Sequence, residues 1–151
     1  MRARAVTLTV LLLAALVSGC GSQKNHDGYV QALNRAQNGL TERFRALQSR
    51  VTPTSSPPQD ARTLRAYEAA VGATVTELRR VKPPAGLDAL HRRLVGQVAG
   101  YGAALRTARG QLGGTDPQGI LAAQGRLRAT VAQTGTRLNA TIQAINQKLR
   151  G

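Results

Sequence analysis

The chain has 151 residues, a formal net charge of +14, one cysteine and only 3% aromatic residues. A single cysteine excludes a disulfide within one chain, and it excludes the paired-cysteine motifs of redox, structural zinc and c-type haem proteins. With no tryptophan and one phenylalanine, the chain has almost none of the aromatic platforms on which single-stranded nucleic acids stack.

The N-terminal residues predict an export signal. Arg2 and Arg4 precede an uncharged apolar run at residues 5–17, and small residues follow it. A charged start, a short apolar run and a small-residue cleavage site are typical of a secretory signal peptide. The run is shorter than the roughly 20 apolar residues that a transmembrane helix needs.

The end of this run resembles the lipobox of bacterial lipoproteins residue by residue, with an aliphatic residue, two small residues and a cysteine: Val17, Ser18, Gly19 and Cys20. The resemblance implies cleavage before Cys20 and attachment of acyl chains such as palmitate at this residue. One acyl chain binds a membrane only marginally, whereas two or three hold a protein stably. The alternative is an unprocessed N-terminal helix with a buried free cysteine.

This resemblance divides the chain into a cleaved signal peptide (1–19), a lipidated tether (20–28) and a helical domain (29–151). It implies a protein anchored to the cell membrane on its extracytoplasmic face. Nucleic acid is not accessible there, so we expect no nucleic-acid partner despite the basic charge.

Apolar residues recur at spacings of three and four along the domain, which predicts amphipathic helices. The first predicted helix has its seam at residues 30–51 and Asp27 as its N-cap. Residues 56–59 (SPPQ) fit a capping box with proline at the first helical position. The second helix therefore starts there and ends before Pro83, because a residue that precedes proline avoids helical dihedrals.

A third helix is predicted from about Leu87 to the glycines at 113–114, and residues 115–118 (TDPQ) resemble another capping box before a long fourth helix. Four helices with three short connections predict an all-α, antiparallel up-down-up-down bundle. We expect four seam residues to be buried: Leu40, Phe44, Leu94 and Leu138.

Catalytic and metal-binding side chains are scarce. The only glutamates are Glu42, Glu68 and Glu77, and neither His26 nor His91 follows a glutamate by three residues, as ferritin-like metal sites require. There is no nucleophile elbow and no phosphate-binding glycine loop. The sequence predicts no enzyme, cofactor or metal site. His91 is predicted to pack against its neighbours at the edge of the core, with a ligand role as the alternative.

Residues 27–37 and 81–91 resemble segments of uncharacterised actinobacterial helical lipoproteins. The resemblance implies an all-helical fold and a membrane location, and it carries no active site.

Two functions follow from these features. The first is a non-catalytic interaction module at the cell envelope, which contacts envelope polymers or an envelope protein through a helix face. The alternative is a binder of a small apolar or lipid-like ligand, because seams rich in alanine and glycine can leave a groove in the bundle interior.

The topology also brings basic residues together near the anchor. In this bundle, helices one and three begin, and helices two and four end, at the end nearest Cys20. Basic residues near an anionic bilayer contribute about 1 kcal/mol each. The alternative is that they only complement helix C-termini and keep the surface soluble. The basic residues expected there are Lys24, Arg79, Arg80, Lys82, Arg92, Arg93, Lys148 and Arg150.

Overall fold

A computed structural model of the chain describes residues 23–48, 50, 56–112 and 116–150. They form four α-helices: α1 (Gln23–Gln48), α2 (Pro57–Arg80), α3 (Asp88–Leu112) and α4 (Pro117–Arg150). Each helix packs on the next one along the chain. The predicted all-α up-and-down four-helix bundle is therefore confirmed. The predictions for Cys20 and for the rest of residues 1–22 lie outside the described residues.

Helix α1 begins earlier than the hydrophobic pattern suggests. It starts at Gln23, so Asp27 lies one turn inside the helix, and its prediction as the N-cap is wrong. Residues 23–28, which the sequence predicts to be part of the tether, form the first turns of α1 instead. The pattern missed this turn because it detects only packed faces, and a polar first turn extends a helix without packing.

The caps of α2 and α4 use side chains that the sequence singled out. The Ser56 backbone N–H donates to Gln59 Oε1 over 2.7 Å, as the predicted capping box requires. At α4 the cap is Asp116, one residue later than the predicted Thr115: its carboxylate accepts the backbone N–H groups of Gln118 (3.1 Å) and Gly119 (2.9 Å). A Cβ at position 119 would lie 2.8 Å from Asp116 Oδ2, so a larger residue there would require the carboxylate to shift.

The core consists of two adjoining clusters. The central cluster contains Ala36, Val71, Val75, Leu78, Val98 and Leu105. The second cluster joins the start of α1 and of α3 to the end of α4 and contains Tyr29, Leu87, Leu94 and Ile145.

Of the four seam residues expected to be buried, only Leu94 is; Leu40, Phe44 and Leu138 are half-buried. The Phe44 ring packs edge-on against Tyr67, with ring centroids 4.7 Å apart. Small residues take the closest interhelical positions instead. At Gly102, for example, a Cβ would lie 3.2 Å from Val71 Cγ1, so α2 and α3 approach closely there.

Ion pairs link α2 to both of its neighbours. Glu68 binds Arg106 over 2.7 Å and Arg109 over 3.3 Å on α3, and Glu77 binds Arg43 of α1 over 2.9 Å. The hydrogen bond from Arg106 lowers the pKa of the Glu68 carboxyl. Two of the chain's three glutamates therefore have structural partners on neighbouring helices.

We expect Ile145→Ala to lower the free energy of unfolding by about 2–5 kcal/mol, because it leaves a cavity where the side chain is 1% exposed. Leu121→Ala on the same helix is the matched control, since Leu121 is 68% exposed and should change stability by less than about 0.5 kcal/mol. Urea unfolding measures both. Equal losses would contradict the assignment of Ile145 to the core.

Candidate ligand-binding groove

The first and last helices of the bundle leave a groove between them. Helix α1 packs along α2, and α4 packs along α3, but α1 and α4 do not pack along each other. The space between them, which we call the α1/α4 groove, has a volume of about 640 Å³. Small-molecule sites in proteins typically occupy roughly 300–1,000 Å³.

The groove has an aliphatic interior. Its floor is made by buried side chains of α2 and α3, among them Leu78, Leu94 and Val98, and its walls by side chains of α1 and α4, most of the aliphatic ones half-buried. The side chains of Leu40 and Leu138 belong to these walls. They are only half-buried because α1 and α4 do not cover each other along the groove, as they would in a closed bundle.

Amide side chains accompany these aliphatic residues on both walls, and no charged residue lines the groove, although 19% of the chain is charged. Within the described part of the chain, none of these amides is hydrogen-bonded to another residue's side chain. Amides of this kind can both donate to and accept from a ligand. The five amides are Asn34, Gln37 and Asn38 on α1, and Asn139 and Asn146 on α4.

The groove runs along the bundle axis. Because α1 and α4 are antiparallel, Val30 and Leu149 mark its lower end, and Leu40 and Gly135 mark its upper end. Residues 135 to 149 rise by about 21 Å at 1.5 Å per residue. The lower end lies at the end of the bundle where α1 begins and α4 ends.

That end carries the predicted basic residues. We call it the basic end, and its seven cations are all exposed: Arg79, Arg80, Lys82, Arg92, Arg93, Lys148 and Arg150. The side chain of the eighth predicted residue, Lys24, lies outside the described set. Two exposed carboxylates, Asp27 and Asp88, oppose the cations, while Glu77 is bound to Arg43. The structure therefore places a strong positive excess at the end of the bundle that also holds the lower end of the groove.

His91 ties the helices together at this end. It is buried, and its Nε2 lies 3.1 Å from the Leu78 carbonyl oxygen, while its Nδ1 lies 3.2 Å from the Tyr29 hydroxyl. Because a carbonyl oxygen only accepts, Nε2 donates to Leu78, and Nδ1 forms the second hydrogen bond with the Tyr29 hydroxyl. As predicted, His91 packs against its neighbours, and both ring nitrogens have protein partners.

A second depression lies beside His91, between the end of α2 and the start of α3. It measures about 500 Å³, is more open than the groove, and has Arg79, Asp88 and Arg92 in its lining. Because it is so open, it encloses a ligand less completely than the α1/α4 groove does.

Among the described residues, no three His, Cys, Asp or Glu side chains come together as a metal site would require. Over the same residues, no helix has both the length and the apolar character to cross a membrane. Comparison with protein-family models, curated proteins and solved structures finds no match.

Sequence reasoning missed the four asparagines of the groove. A signal was present, because Asn34 and Asn38 are four residues apart and Asn139 and Asn146 are seven apart, which puts each pair on one helix face. Each pair lies beside an apolar seam. Only the pairing of α1 with α4 across a gap shows that these faces line one groove.

Tyr29→Phe tests the contact that holds α1 at the basic end. Burial raises the pKa of Tyr29 to about 12, above the usual 10 of an exposed tyrosine. Below pH 10 the variant should be less stable by about 1 kcal/mol, because it loses the hydrogen bond to His91. Between pH 10 and 12 the unfolded wild type ionises first, so the wild type should lose stability and the difference should narrow. Urea unfolding across this range measures both effects, and parallel pH profiles would contradict the assignment.

Proposed function

We propose that this chain is a lipoprotein of the cell envelope, anchored by Cys20 to the extracytoplasmic face of the cell membrane, which binds an apolar or lipid-like molecule in the α1/α4 groove. One observation carries the ligand proposal: a highly basic chain has an uncharged, aliphatic groove of about 640 Å³ between its first and last helices. Of the two functions that the sequence left open, an apolar space between helices favours the ligand binder.

The energetics support a ligand with a long apolar part. Wall residues such as Leu40 and Leu138 remain half-exposed in the open groove. A ligand that covers them removes apolar surface from water, which contributes roughly 25 cal/mol per Å². A charged group inside the groove would lose its hydration without gaining an opposite charge. The part of the ligand that enters the groove is therefore neutral.

The lining also supports a role without catalysis. It contains no serine, cysteine, histidine, lysine or carboxylate. Its single hydroxyl, that of Thr74, donates to the Ala70 carbonyl oxygen within α2 over 3.1 Å. Such a lining binds and orients a molecule, but offers no evident general base or activated nucleophile.

The basic end supports a second candidate, the interaction module. Its seven exposed cations, from Arg79 to Arg150, suit an anionic lipid surface or an anionic envelope polymer. This candidate needs only the surface charge and leaves the groove without a role. For this reason we propose the ligand binder as the function and the basic end as its contact with the membrane.

The anchor is tested with Cys20→Ala. This variant loses the acyl chains that hold the mature protein, and we expect it to move from the detergent phase to the aqueous phase in detergent partitioning. Partitioning of the wild type and the variant into the same phase would contradict the lipid anchor.

The groove is tested with pyrenyl dodecanol, a neutral fluorescent probe whose chain needs most of the groove length. The full chain carrying Cys20→Ser avoids lipidation, so no detergent competes for the probe. Gly135→Leu in this background places a side chain in the upper groove, where a Cβ meets nothing within 4 Å. We expect binding at least about tenfold weaker, a loss of about 1.4 kcal/mol.

Gly125→Leu is the matched control. It makes the same change on the same helix, again where a Cβ meets nothing within 4 Å, but outside the groove lining. It should bind the probe as the parent chain does. Equal affinity of all three chains, or no binding by the parent chain, would contradict the proposed groove ligand.

A further inference from the structure

We propose that the groove takes one acyl chain of an anionic phospholipid from the membrane on which the protein sits, while the phosphate stays at the basic end. This inference rests on the proposed function and names the class of its ligand. Three properties of the structure carry it: the continuity of the groove with the basic end, the length of the groove, and the separation of charge between the two.

The groove opens onto the basic end. Leu149 lines the lower end of the groove, and its neighbours in sequence, Lys148 and Arg150, are two of the seven exposed cations. The second cluster of the core keeps this end of α4 beside the starts of α1 and α3. A chain that enters the groove from below therefore leaves its headgroup among cations.

The groove length fits an acyl chain of one leaflet. The hydrocarbon core of a bilayer is about 30 Å thick, so each leaflet contributes about 15 Å. The rise of about 21 Å between residues 135 and 149 exceeds this length. An extended chain therefore fits along the groove, with its carboxyl ester near Leu149 and its terminal carbons directed toward Gly135.

The lower end of the groove also lies near the anchor. Gln23, where α1 begins, is three residues after Cys20, and three residues span at most about 11 Å. From Gln23 to Val30, α1 rises by about another 11 Å. With Cys20 lipidated, the groove opening would lie within about 22 Å of the acyl chains in the bilayer. A lipid would then have only a short path from the leaflet to the groove.

Charge favours an anionic lipid over a neutral one. The seven cations of the basic end exceed the exposed carboxylates beside them, Asp27 and Asp88, and basic residues near an anionic bilayer contribute about 1 kcal/mol each. The groove itself has no charged residue that would bind the phosphate. The head and the tail of such a lipid thus meet separate surfaces, each suited to its chemistry.

Photocrosslinking with two probe lipids tests whether the acyl chain lies in the groove with the phosphate at the basic end. The full chain carrying Cys20→Ser is mixed with phosphatidylglycerol vesicles that contain phosphatidylglycerol with a diazirine either at the chain end or next to the carboxyl ester. After irradiation, mass spectrometry maps the crosslinked peptides. We expect the chain-end diazirine to label residues 135–138 and Leu40, and the ester-proximal diazirine to label residues 146–149 and Val30.

Matched variants separate chain insertion into the groove from vesicle binding at the basic end. Gly135→Leu should abolish labelling from the chain end while vesicle binding remains, and Gly125→Leu should change neither. Arg79, Arg80, Arg92 and Arg93 all changed to Gln should reduce vesicle binding several-fold. In 1 M salt, where the Debye length is about 3 Å, the parent chain should be released as well.

Several results would overturn the inference. Labels confined to the exposed basic end would mean surface docking without chain insertion. Equal groove labelling from phosphatidylcholine vesicles would remove the preference for an anionic lipid. Loss of groove labels in the lipidated wild-type chain would show that its own acyl chain fills the groove. If pyrenyl dodecanol binds and the phospholipid does not label the groove, the proposed function stands and only this inference fails.

Discussion

The buried contact of His91 with Tyr29 and Leu78 is the interaction on which the rest of this structure depends. Two hydrogen bonds of His91, at the start of α3, link three helices. One, of 3.1 Å, reaches Leu78 at the end of α2, and the other, of 3.2 Å, reaches Tyr29 at the start of α1. Helix α1 otherwise packs mainly on α2, and Tyr29, with Leu33 beside it, attaches α1 to the second cluster of the core. Together with the Arg43–Glu77 ion pair and the ring contacts of Phe44, this contact holds α1 in its position along the bundle.

The groove follows from how the other helices are joined. Small residues and close approaches, such as Gly102 against Val71, bring α2 and α3 together, and the Glu68 and Glu77 ion pairs link α2 to both neighbours. No comparable packing joins α1 to α4. The bundle therefore closes on three sides, and its aliphatic interior remains accessible through the fourth.

Charge is distributed in a way that suits this opening. The interior of the groove has aliphatic side chains and amides, whereas the cations are concentrated on exposed positions, seven of them at the basic end. An uncharged lining avoids the desolvation cost that ionised groups would impose on an apolar ligand. A positive end beside an uncharged groove gives the molecule two surfaces of different chemistry within one helical turn of each other, at Lys148, Leu149 and Arg150.

The sequence by itself determined the helices, their order and their antiparallel topology. Apolar spacing, the Ser56 cap and the proline and glycine breaks act locally, so they can be read without knowledge of distant contacts. The same local signals predicted that the basic residues lie at one end of the bundle, because short connections make consecutive helices antiparallel. These signals failed at the start of α1, where a polar turn extends the helix without packing. They also failed at Leu40 and Leu138, whose burial depends on how neighbouring helices cover them.

Only the tertiary structure decided that α1 and α4 remain apart. A helix seam predicts that one face is covered, but not by which helix or how completely, since this depends on crossing geometry and on small residues at other interfaces. The paired faces of Asn34 with Asn38 and of Asn139 with Asn146 are separated by about a hundred residues along the chain. Their meeting across one groove is a property of the packed bundle, because no local interaction joins them.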